Sequence, residues 1–184
     1  MDNNKSIVSR IAIFGGGCFW CTEAIFRELD GVLDVMPGYI GGHIPYPTYE
    51  KVSAGTTGHV EAVMILYDVE RITYDKLLEV FFATHDPTQI NRQGNDIGTQ
   101  YRSAIFYTNE PQKQTAETYI RFLTKYEPYH RPIVTEVVPA SEFWPAEDYH
   151  KNYLENHPKN PYCQYIILPK LEKFRDRFDD LLKG

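Results

Sequence analysis

The sequence predicts a single domain of the α/β (α+β) class, and three observations lead to this prediction. Segments typical of strands and of helices alternate along the chain. No internal repeat, low-complexity run or linker separates one part of it from another. The 184 residues, of which 42% are hydrophobic and 24% charged, suffice for one ordinary core and leave too little for two large ones. We therefore assign residues 1–184 to one domain.

Each element is predicted from local signals. Strands are expected at residues 8–14, 32–40 (broken at Pro37-Gly38), 60–67, 103–107 and 133–138. The first helix follows Cys18 and stops at Asp30-Gly31, and later helices begin at the cap Thr73 and at Pro111. Two more helices are expected at residues 146–154 and 171–182, the second of them amphipathic.

Charge and hydropathy exclude several classes of protein. Nineteen Lys and Arg against 25 Asp and Glu give a net charge of −6, which provides no basic footprint for nucleic acid. The longest apolar stretch, residues 60–67, is far below the ~20 residues that a membrane helix needs. Residues 11–14 run straight into three glycines and are too short for a secretory signal. We expect a cytoplasmic protein whose cysteines are reduced unless they act as redox groups.

The sharpest local feature is a strand followed by Gly15-Gly16-Gly17, then Cys18 and a helix. Glycines allow a tight turn, so Cys18 falls at the first turn of the helix, where unpaired amides and the helix dipole stabilise an anion. Such a position lowers a thiol pKa from about 8.5 to roughly 3.5–7.5, which makes Cys18 a candidate nucleophile. The alternative is a buried structural cysteine, which is common for this residue type.

Cys18 and Cys21 also form a C-x-x-C pair. Alone, this spacing is typical of a thioredoxin-type dithiol or of half a zinc site. A zinc site needs four ligands, and Cys163 is distant in the chain and has no matching Cys or His pair near it. We expect neither a metal nor another cofactor.

Glu61 is the second candidate for chemistry. It lies in the apolar run 60–67, and the alternation of a strand puts it on the same face as Val63 and Ile65. The continuous run indicates that both faces are covered. Burial would then raise the pKa of Glu61 and make it a general acid near neutral pH. The alternative is a solvated carboxylate at the exposed end of the strand.

Loops supply the remaining candidates. Asp96 and Tyr101, in the polar loop that enters the strand at 103–107, and Tyr49, in the preceding Thr- and Tyr-rich loop, are potential hydrogen-bond donors or acceptors for a substrate. Cys163 lies in a Pro-rich segment, 160–163, that we expect to be mobile and accessible. The acidic residues of 144–150 are interpreted as the first turn of a helix rather than as catalysts.

Four motifs occur in the order found in one family: Gly17-Cys18-Phe19-Trp20, Thr57-Gly58-His59-Val60-Glu61, the run from Asp96 to Ser103, and Ala146-Glu147-Asp148-Tyr149-His150. From about Ile11 to Cys163 the chain resembles the A-type peptide methionine sulfoxide reductases, a class that reverses methionine oxidation. The resemblance implies a two-layer sandwich with a mixed sheet, a ferredoxin-like core and a long irregular C-terminal segment. It also implies repair of methionine S-sulfoxide in oxidised proteins or peptides and in the free amino acid.

The same resemblance implies residue roles. Cys18 would attack the sulfoxide sulfur while Glu61 protonates the oxygen, and Cys18 would be left as a sulfenic acid. A second thiolate would condense with it to a disulfide, which an external dithiol, usually thioredoxin in the family, would reduce. The implied substrate-binding residues, which enclose the methyl group or hold the oxygen, are Phe19, Trp20, Tyr49, Asp96 and Tyr101.

Two thiols remain candidates for the resolving step. Cys163 lies in a Tyr-Cys loop like one that carries a recycling cysteine in many members, whereas Cys21 lies at helical spacing from Cys18. We favour Cys163, because a flexible loop can approach Cys18 without breaking the helix, while a bond to Cys21 constrains its first turn.

Three rival functions predict different behaviour. A cysteine hydrolase that uses His59 or His150 as a base would turn over esters or amides without a reductant. A redox or metal-binding module built on the C-x-x-C pair would have no turnover. A simple interaction domain would leave the four ordered motifs unexplained. We expect a monomer that binds neither nucleic acid nor membrane.

Overall fold

The computed structural model describes residues 7–184, and its strands and helices alternate as predicted. The strands are β1 (Ser9–Gly15), β2 (Val32–Ile40), β3 (Val60–Asp68), β4 (Arg92–Gln93), β5 (Asp96–Ile97), β6 (Ala104–Tyr107), β7 (Glu136–Pro139) and β8 (Trp144–Pro145). The helices are α1 (Phe19–Phe26), α2 (Tyr49–Ser53), α3 (Tyr74–Ala83), α4 (Glu110–Tyr126), α5 (Tyr153–Asn156) and α6 (Leu168–Arg177). Single 3₁₀ turns lie at Thr99–Tyr101, Asp148–His150 and Asp179–Leu181, and a π-helical turn at Cys163–Ile167 precedes α6.

Six strands form one mixed sheet in the order β7-β6-β1-β3-β2-β8. All neighbouring pairs are antiparallel except β6 and β7, which are parallel. Within it, α1 links β1 to β2, a loop links β2 to β3, and α3 lies between β3 and β6. These four strands stand side by side in the order β6-β1-β3-β2. This arrangement is the ferredoxin-like split βαβ unit, and the predicted fold class is confirmed.

The sheet is covered on both faces. Helices α1, α3, α4 and α6 pack on one face, where alternating strand residues such as Phe14, Val63 and Ile65 are fully buried. The other face carries a smaller apolar cluster that includes Ile13 and Val60. Because β3 is buried on both faces, a polar side chain within it is removed from water, and this positions the site described below.

Local capping explains where the helices start. Thr73 accepts a hydrogen bond from the Lys76 amide at 3.1 Å at the start of α3, as predicted. Asn109 caps α4 in the same way, and Pro111 lies in its first turn, where it needs no donor.

Three predicted boundaries are wrong. Strand β2 runs through Pro37, whose carbonyl accepts from the Ala146 amide at 2.9 Å. The helix predicted at 146–154 is divided into a 3₁₀ turn and α5, because Asn152 adopts a left-handed conformation with φ of 54°. The helix predicted at 171–182 begins earlier, since the turn at Cys163–Ile167 leads directly into α6, and it ends at Arg177.

None of the helices within residues 7–184 combines the length and the apolar character that crossing a membrane requires.

Candidate active site

The glycine turn before α1 places Cys18 at the start of that helix. Gly17 has a φ of +92°, and a Cβ atom there would lie 2.7 Å from Cγ of Gln93, so only glycine fits. Cys18 is the N-cap residue of α1, and its carbonyl accepts from the amides of Cys21 and Thr22 at 3.1 and 3.4 Å. The predicted position of Cys18 at the first turn is confirmed, and its side chain is half-buried.

Glu61 lies beside this turn. Its side chain is 1% exposed, within β3, on the helix-covered face. Carboxyl oxygen Oε1 accepts a hydrogen bond from the Phe19 amide at 3.2 Å, and Oε2 is buried with no hydrogen-bond partner. The alternative of a solvated carboxylate is therefore wrong, and the structure brings Glu61 and Cys18 together.

Burial also sets the protonation state of Glu61. It raises the pKa of the carboxyl to about 8, and the hydrogen bond from the Phe19 amide offsets only part of this effect. At neutral pH the group is therefore mostly a neutral acid. Because Oε1 accepts from the Phe19 amide, Oε2, which has no partner, is the oxygen available to carry and donate the proton.

The thiol of Cys18 differs from the sequence-based expectation. Burial raises its pKa well above the ordinary value, and the neighbouring Cys21 and the charge of Glu61 raise it further. Only the Trp20 amide acts in the opposite direction. The predicted lowering of the pKa is wrong for the free protein, because desolvation outweighs the amides of the helix N-terminus. The interaction with Cys18 lowers the pKa of Cys21.

Tyr49 and Tyr101 lie close enough to both reactive groups to feel their charge. Burial raises the pKa of Tyr49 to about 12, with further contributions from Glu61 and Cys18. Burial and the same two groups raise the pKa of Tyr101. Both hydroxyls therefore remain protonated hydrogen-bond donors beside the thiol and the acid.

Glu147 is a positioning residue that sequence reasoning assigned to a helix start. Its oxygens accept from the Tyr39 hydroxyl at 2.9 Å and from the Tyr49 amide at 3.0 Å. Glu147 thereby holds the backbone of Tyr49 next to Tyr39 on β2. Within the sheet, Tyr39 pairs with Glu61 on the neighbouring strand β3.

The two aromatic residues after Cys18 are held rigidly. Phe19 is 1% exposed and packs against Tyr39 and His150, with ring centroids 5.7 and 5.1 Å apart. Trp20 stacks on Tyr153 at 3.7 Å with nearly parallel planes, and its Nε1–H donates to Nδ1 of His150 at 3.0 Å. Sequence reasoning missed the part that His150 has in orienting Trp20.

The histidines do not favour a cysteine hydrolase. Both ring nitrogens of His59 are occupied, by the Gly42 amide at 3.0 Å and the Ile44 carbonyl at 2.7 Å. His150 accepts from Trp20 through one nitrogen, and the other is buried without a partner. No hydrogen bond connects either ring to Cys18 within residues 7–184 of the structure.

Asp96 is engaged by a residue that the sequence did not single out. The Tyr162 hydroxyl donates to Oδ2 of Asp96 at 2.6 Å, and the same hydroxyl oxygen lies 3.8 Å from Sγ of Cys21. The sequence signal available was the position of Tyr162 immediately before Cys163. Asp96 therefore faces the site through Tyr162, although its charge still raises the pKa of Glu61.

Cys163 is not in an accessible loop. It is fully buried as the first residue of the π-helical turn and packs with Cys21, Tyr153 and Ile167. The prediction is wrong because Asn160 and Pro161 start a helix here: the Tyr162 amide donates to Oδ1 of Asn160 at 2.8 Å. All three cysteines are thiols. Among the described residues, no three His, Cys, Asp or Glu side chains are grouped so that they could hold a metal ion.

A cleft of about 910 Å³ lies between α3, α4 and α6. Its lining contains neither Cys18 nor Glu61. It does contain Lys170, whose charge lowers the pKa of Cys21. Cys18 and Glu61 thus lie outside the cleft, and the positive charge that the cleft contributes acts on Cys21.

Comparison with known proteins identifies similar chains. A model of the peptide methionine sulfoxide reductase family matches residues 10–182. A peptide methionine sulfoxide reductase of Acinetobacter baumannii is 56% identical over 173 residues, which are 94% of this chain and 98% of that protein.

Solved structures agree with this similarity. Methionine sulfoxide reductase A of Corynebacterium diphtheriae is 38% identical with a TM-score of 0.73, covering 82% of this chain and 76% of that one. Mxr1 from Saccharomyces cerevisiae in reduced form is 32% identical with a TM-score of 0.76, covering 86% and 94%. Mxr1 in complex with Trx2 compares at 20% identity and a TM-score of 0.54 over 83% and 89%, a likeness of fold.

Proposed function

The chain belongs to the peptide methionine sulfoxide reductase family, and we propose that it reduces methionine S-sulfoxide in proteins and in the free amino acid by thiol chemistry at Cys18. It is an oxidoreductase of that class. The observation that carries the mechanism is the position of Glu61: its buried carboxyl accepts a hydrogen bond from the amide of Phe19, the residue after Cys18, and its other oxygen is buried without a hydrogen-bond partner.

The first step transfers the sulfoxide oxygen to Cys18. The Cys18 sulfur bonds to the sulfoxide sulfur while the oxygen takes the proton of Glu61, and the thiol proton of Cys18 restores Glu61. The bond between the methionine sulfur and the hydroxyl oxygen then breaks as that oxygen bonds to the Cys18 sulfur, and the bond between the two sulfurs breaks to release methionine. Methionine sulfoxide and a thiol thus become methionine and a sulfenic acid, and the substrate sulfur is reduced as Cys18 is oxidised.

The surroundings of Cys18 suit this substrate. Tyr49 and Tyr101 retain hydroxyl protons that can hold the sulfoxide oxygen or a water molecule in its place. Phe19 and Trp20 offer an apolar wall for the methyl group, and their orientation is supported by His150 and Tyr153. A pocket that separates methyl, oxygen and lone pair accepts one epimer, which we take to be S.

The sulfenic acid is then converted to a disulfide inside the protein. Both candidate thiols lie near it: Cys21 and Cys163 belong to one buried cluster, and Cys18 packs against that cluster. Burial of Cys163 removes the reason for which the sequence favoured it as the first partner, namely a mobile loop. An external dithiol reduces the disulfide, and we propose a thioredoxin; Mxr1, a protein of the same fold, has been solved in complex with Trx2.

Counting thiols in the absence of reductant tests the proposal. The protein is mixed with a methionine S-sulfoxide, and free thiols and methionine are measured over time. We expect two thiols to disappear for each methionine that forms. Cys18→Ser, the matched control, should form no methionine and lose no thiol. Unchanged thiols in native wild-type protein would refute the proposed reaction.

A further inference from the structure

Resting on the proposed function, we propose that Tyr162 and Asp96 form a proton relay that activates Cys21 to attack the sulfenic acid of Cys18. This assigns Tyr162 a catalytic role in the resolving step. It also assigns Asp96 a role as the final proton acceptor rather than only as a substrate ligand.

The geometry of one hydroxyl group carries the inference. The Tyr162 oxygen lies 2.6 Å from Oδ2 of Asp96 and 3.8 Å from Sγ of Cys21. A phenol has a single proton, and the shorter contact shows that it is donated to the carboxylate. The oxygen of Tyr162 is then available as an acceptor for the Cys21 S–H. The three groups form a continuous chain from thiol to hydroxyl to carboxylate.

The position of Cys21 makes it the thiol that acts first. It lies one helical turn after Cys18 on α1, and its amide donates to the Cys18 carbonyl at 3.1 Å. Cys163 packs against Cys21 from the π-helical turn. Cys21 raises the pKa of both Cys18 and Cys163, so it is the thiol through which the other two interact.

The relay balances the chemistry of the resolving step. The Cys21 sulfur bonds to the Cys18 sulfur, and the S–O bond of the sulfenic acid breaks. The Cys21 proton passes to Tyr162 while the Tyr162 proton passes to Asp96, and the departing hydroxide takes the proton of Glu61 to form water. Cys21 is oxidised and the Cys18 sulfur is reduced. Cys163 can then attack Cys21, which forms a Cys21–Cys163 disulfide and returns Cys18 as a thiol.

The charged and titratable groups around Cys21 come from five parts of the fold. Lys170 on α6 favours the thiolate, whereas Asp96 on β5 and Glu61 on β3 disfavour it. The remaining groups are Cys18, Tyr162 and Cys163. Tyr162 is the one among them whose hydroxyl touches both the sulfur and a carboxylate, so it can move a proton away from the sulfur without exposing the site to water.

Tyr162→Phe removes the hydroxyl and keeps the ring that packs edge-on against Trp20. The assay follows methionine, total thiols and sulfenic acid, trapped with dimedone, in one experiment without reductant. We expect the rate of disulfide formation relative to methionine formation to fall at least about 10-fold at neutral pH, within the range that general bases supply. The sulfenic acid should accumulate. Raising the pH should restore the ratio, because bulk hydroxide can replace the relay.

Two further variants make the test specific. Tyr165→Phe removes an exposed hydroxyl from the same helical turn and should leave the ratio as in wild type. Asp96→Asn weakens the final acceptor and should give the same pH-sensitive delay as Tyr162→Phe.

Two results would overturn the relay. The first is disulfide formation by Tyr162→Phe within about twofold of wild type. The second is a delay that does not diminish as the pH rises, which would indicate a structural role. Either result would leave the proposed function intact, since methionine would still form. Failure of wild type to form methionine would instead refute the proposed function itself.

Discussion

Replacing Glu61 by glutamine removes the acidic proton of the side chain and nearly preserves its shape. The amide oxygen can still accept from the Phe19 amide, but glutamine has no acidic proton to give to a sulfoxide oxygen. We expect the rate of methionine formation to fall by about 10²–10⁴, the usual contribution of a general acid. Single-turnover mixing with a methionine S-sulfoxide, with methionine measured after an acid quench, gives this rate directly.

The same substitution should make the protein more stable. Burial raises the pKa of Glu61 from 4.5 to about 8, so folding at neutral pH must take up a proton that the unfolded chain has released. Between 4.5 and neutrality this costs roughly 2.5 pH units at about 1.4 kcal/mol each, or about 3 kcal/mol. Glutamine avoids this cost. In wild type the stability from Glu61 is fully present below pH 4.5 and is lost as the pH rises through about 8.

Urea unfolding of both proteins from about pH 5 to about pH 9 measures the difference. The free energy of unfolding of wild type should fall relative to that of Glu61→Gln as the pH rises. Glu142→Gln is the matched control, because it makes the same Glu-to-Gln change at an exposed position. Parallel pH profiles for wild type and Glu61→Gln, or activity of the variant within about tenfold of wild type, would refute the argument that Glu61 is a buried neutral acid.

Three further predictions follow from the same geometry. Cys163→Ser should form one equivalent of methionine and then stop cycling with thioredoxin, as measured by thioredoxin-dependent turnover; normal cycling would show that Cys21 alone suffices. Gly17→Ala should lower the free energy of unfolding and slow methionine formation, because its Cβ meets Gln93 at 2.7 Å. The control Gly94→Ala also lies at positive φ but in open space, so it should affect stability alone. The single-turnover rate of wild type should decline as the pH passes about 8, since Glu61 then loses its proton; a rate that keeps rising there would contradict its role as the acid.

The parts of the fold that depend on local signals could be predicted. The glycine turn before Cys18 and the cap Thr73 act within a few residues, and the buried run around Glu61 is visible as continuous hydrophobicity. Boundaries set by distant contacts could not. The chain passes through Pro37 within β2 because the Ala146 region supplies a partner for its carbonyl, and such a partner leaves no mark near the proline.

The site divides in the same way. Cys18 and Glu61 are recognisable one at a time, because each has an unusual local setting. The contact between Tyr162 and Asp96 joins residues 66 positions apart, and that between Trp20 and His150 joins residues 130 apart. The predicted lowering of the Cys18 pKa was wrong for a related reason. The position of a residue in a helix follows from the local sequence, but the desolvation of its side chain depends on every group that packs around the sulfur.

The raised pKa of Cys18 has a consequence for the reactivity of the thiol toward oxidants and alkylating agents. Thiolates, rather than thiols, react with peroxides and alkylating agents, and further oxidation to a sulfinic acid is irreversible. A neutral sulfur beside a neutral acid should react slowly with hydrogen peroxide or iodoacetamide, a rate that mass spectrometry can follow at each cysteine. We therefore expect the resting nucleophile to react more slowly with these reagents than an exposed thiolate does.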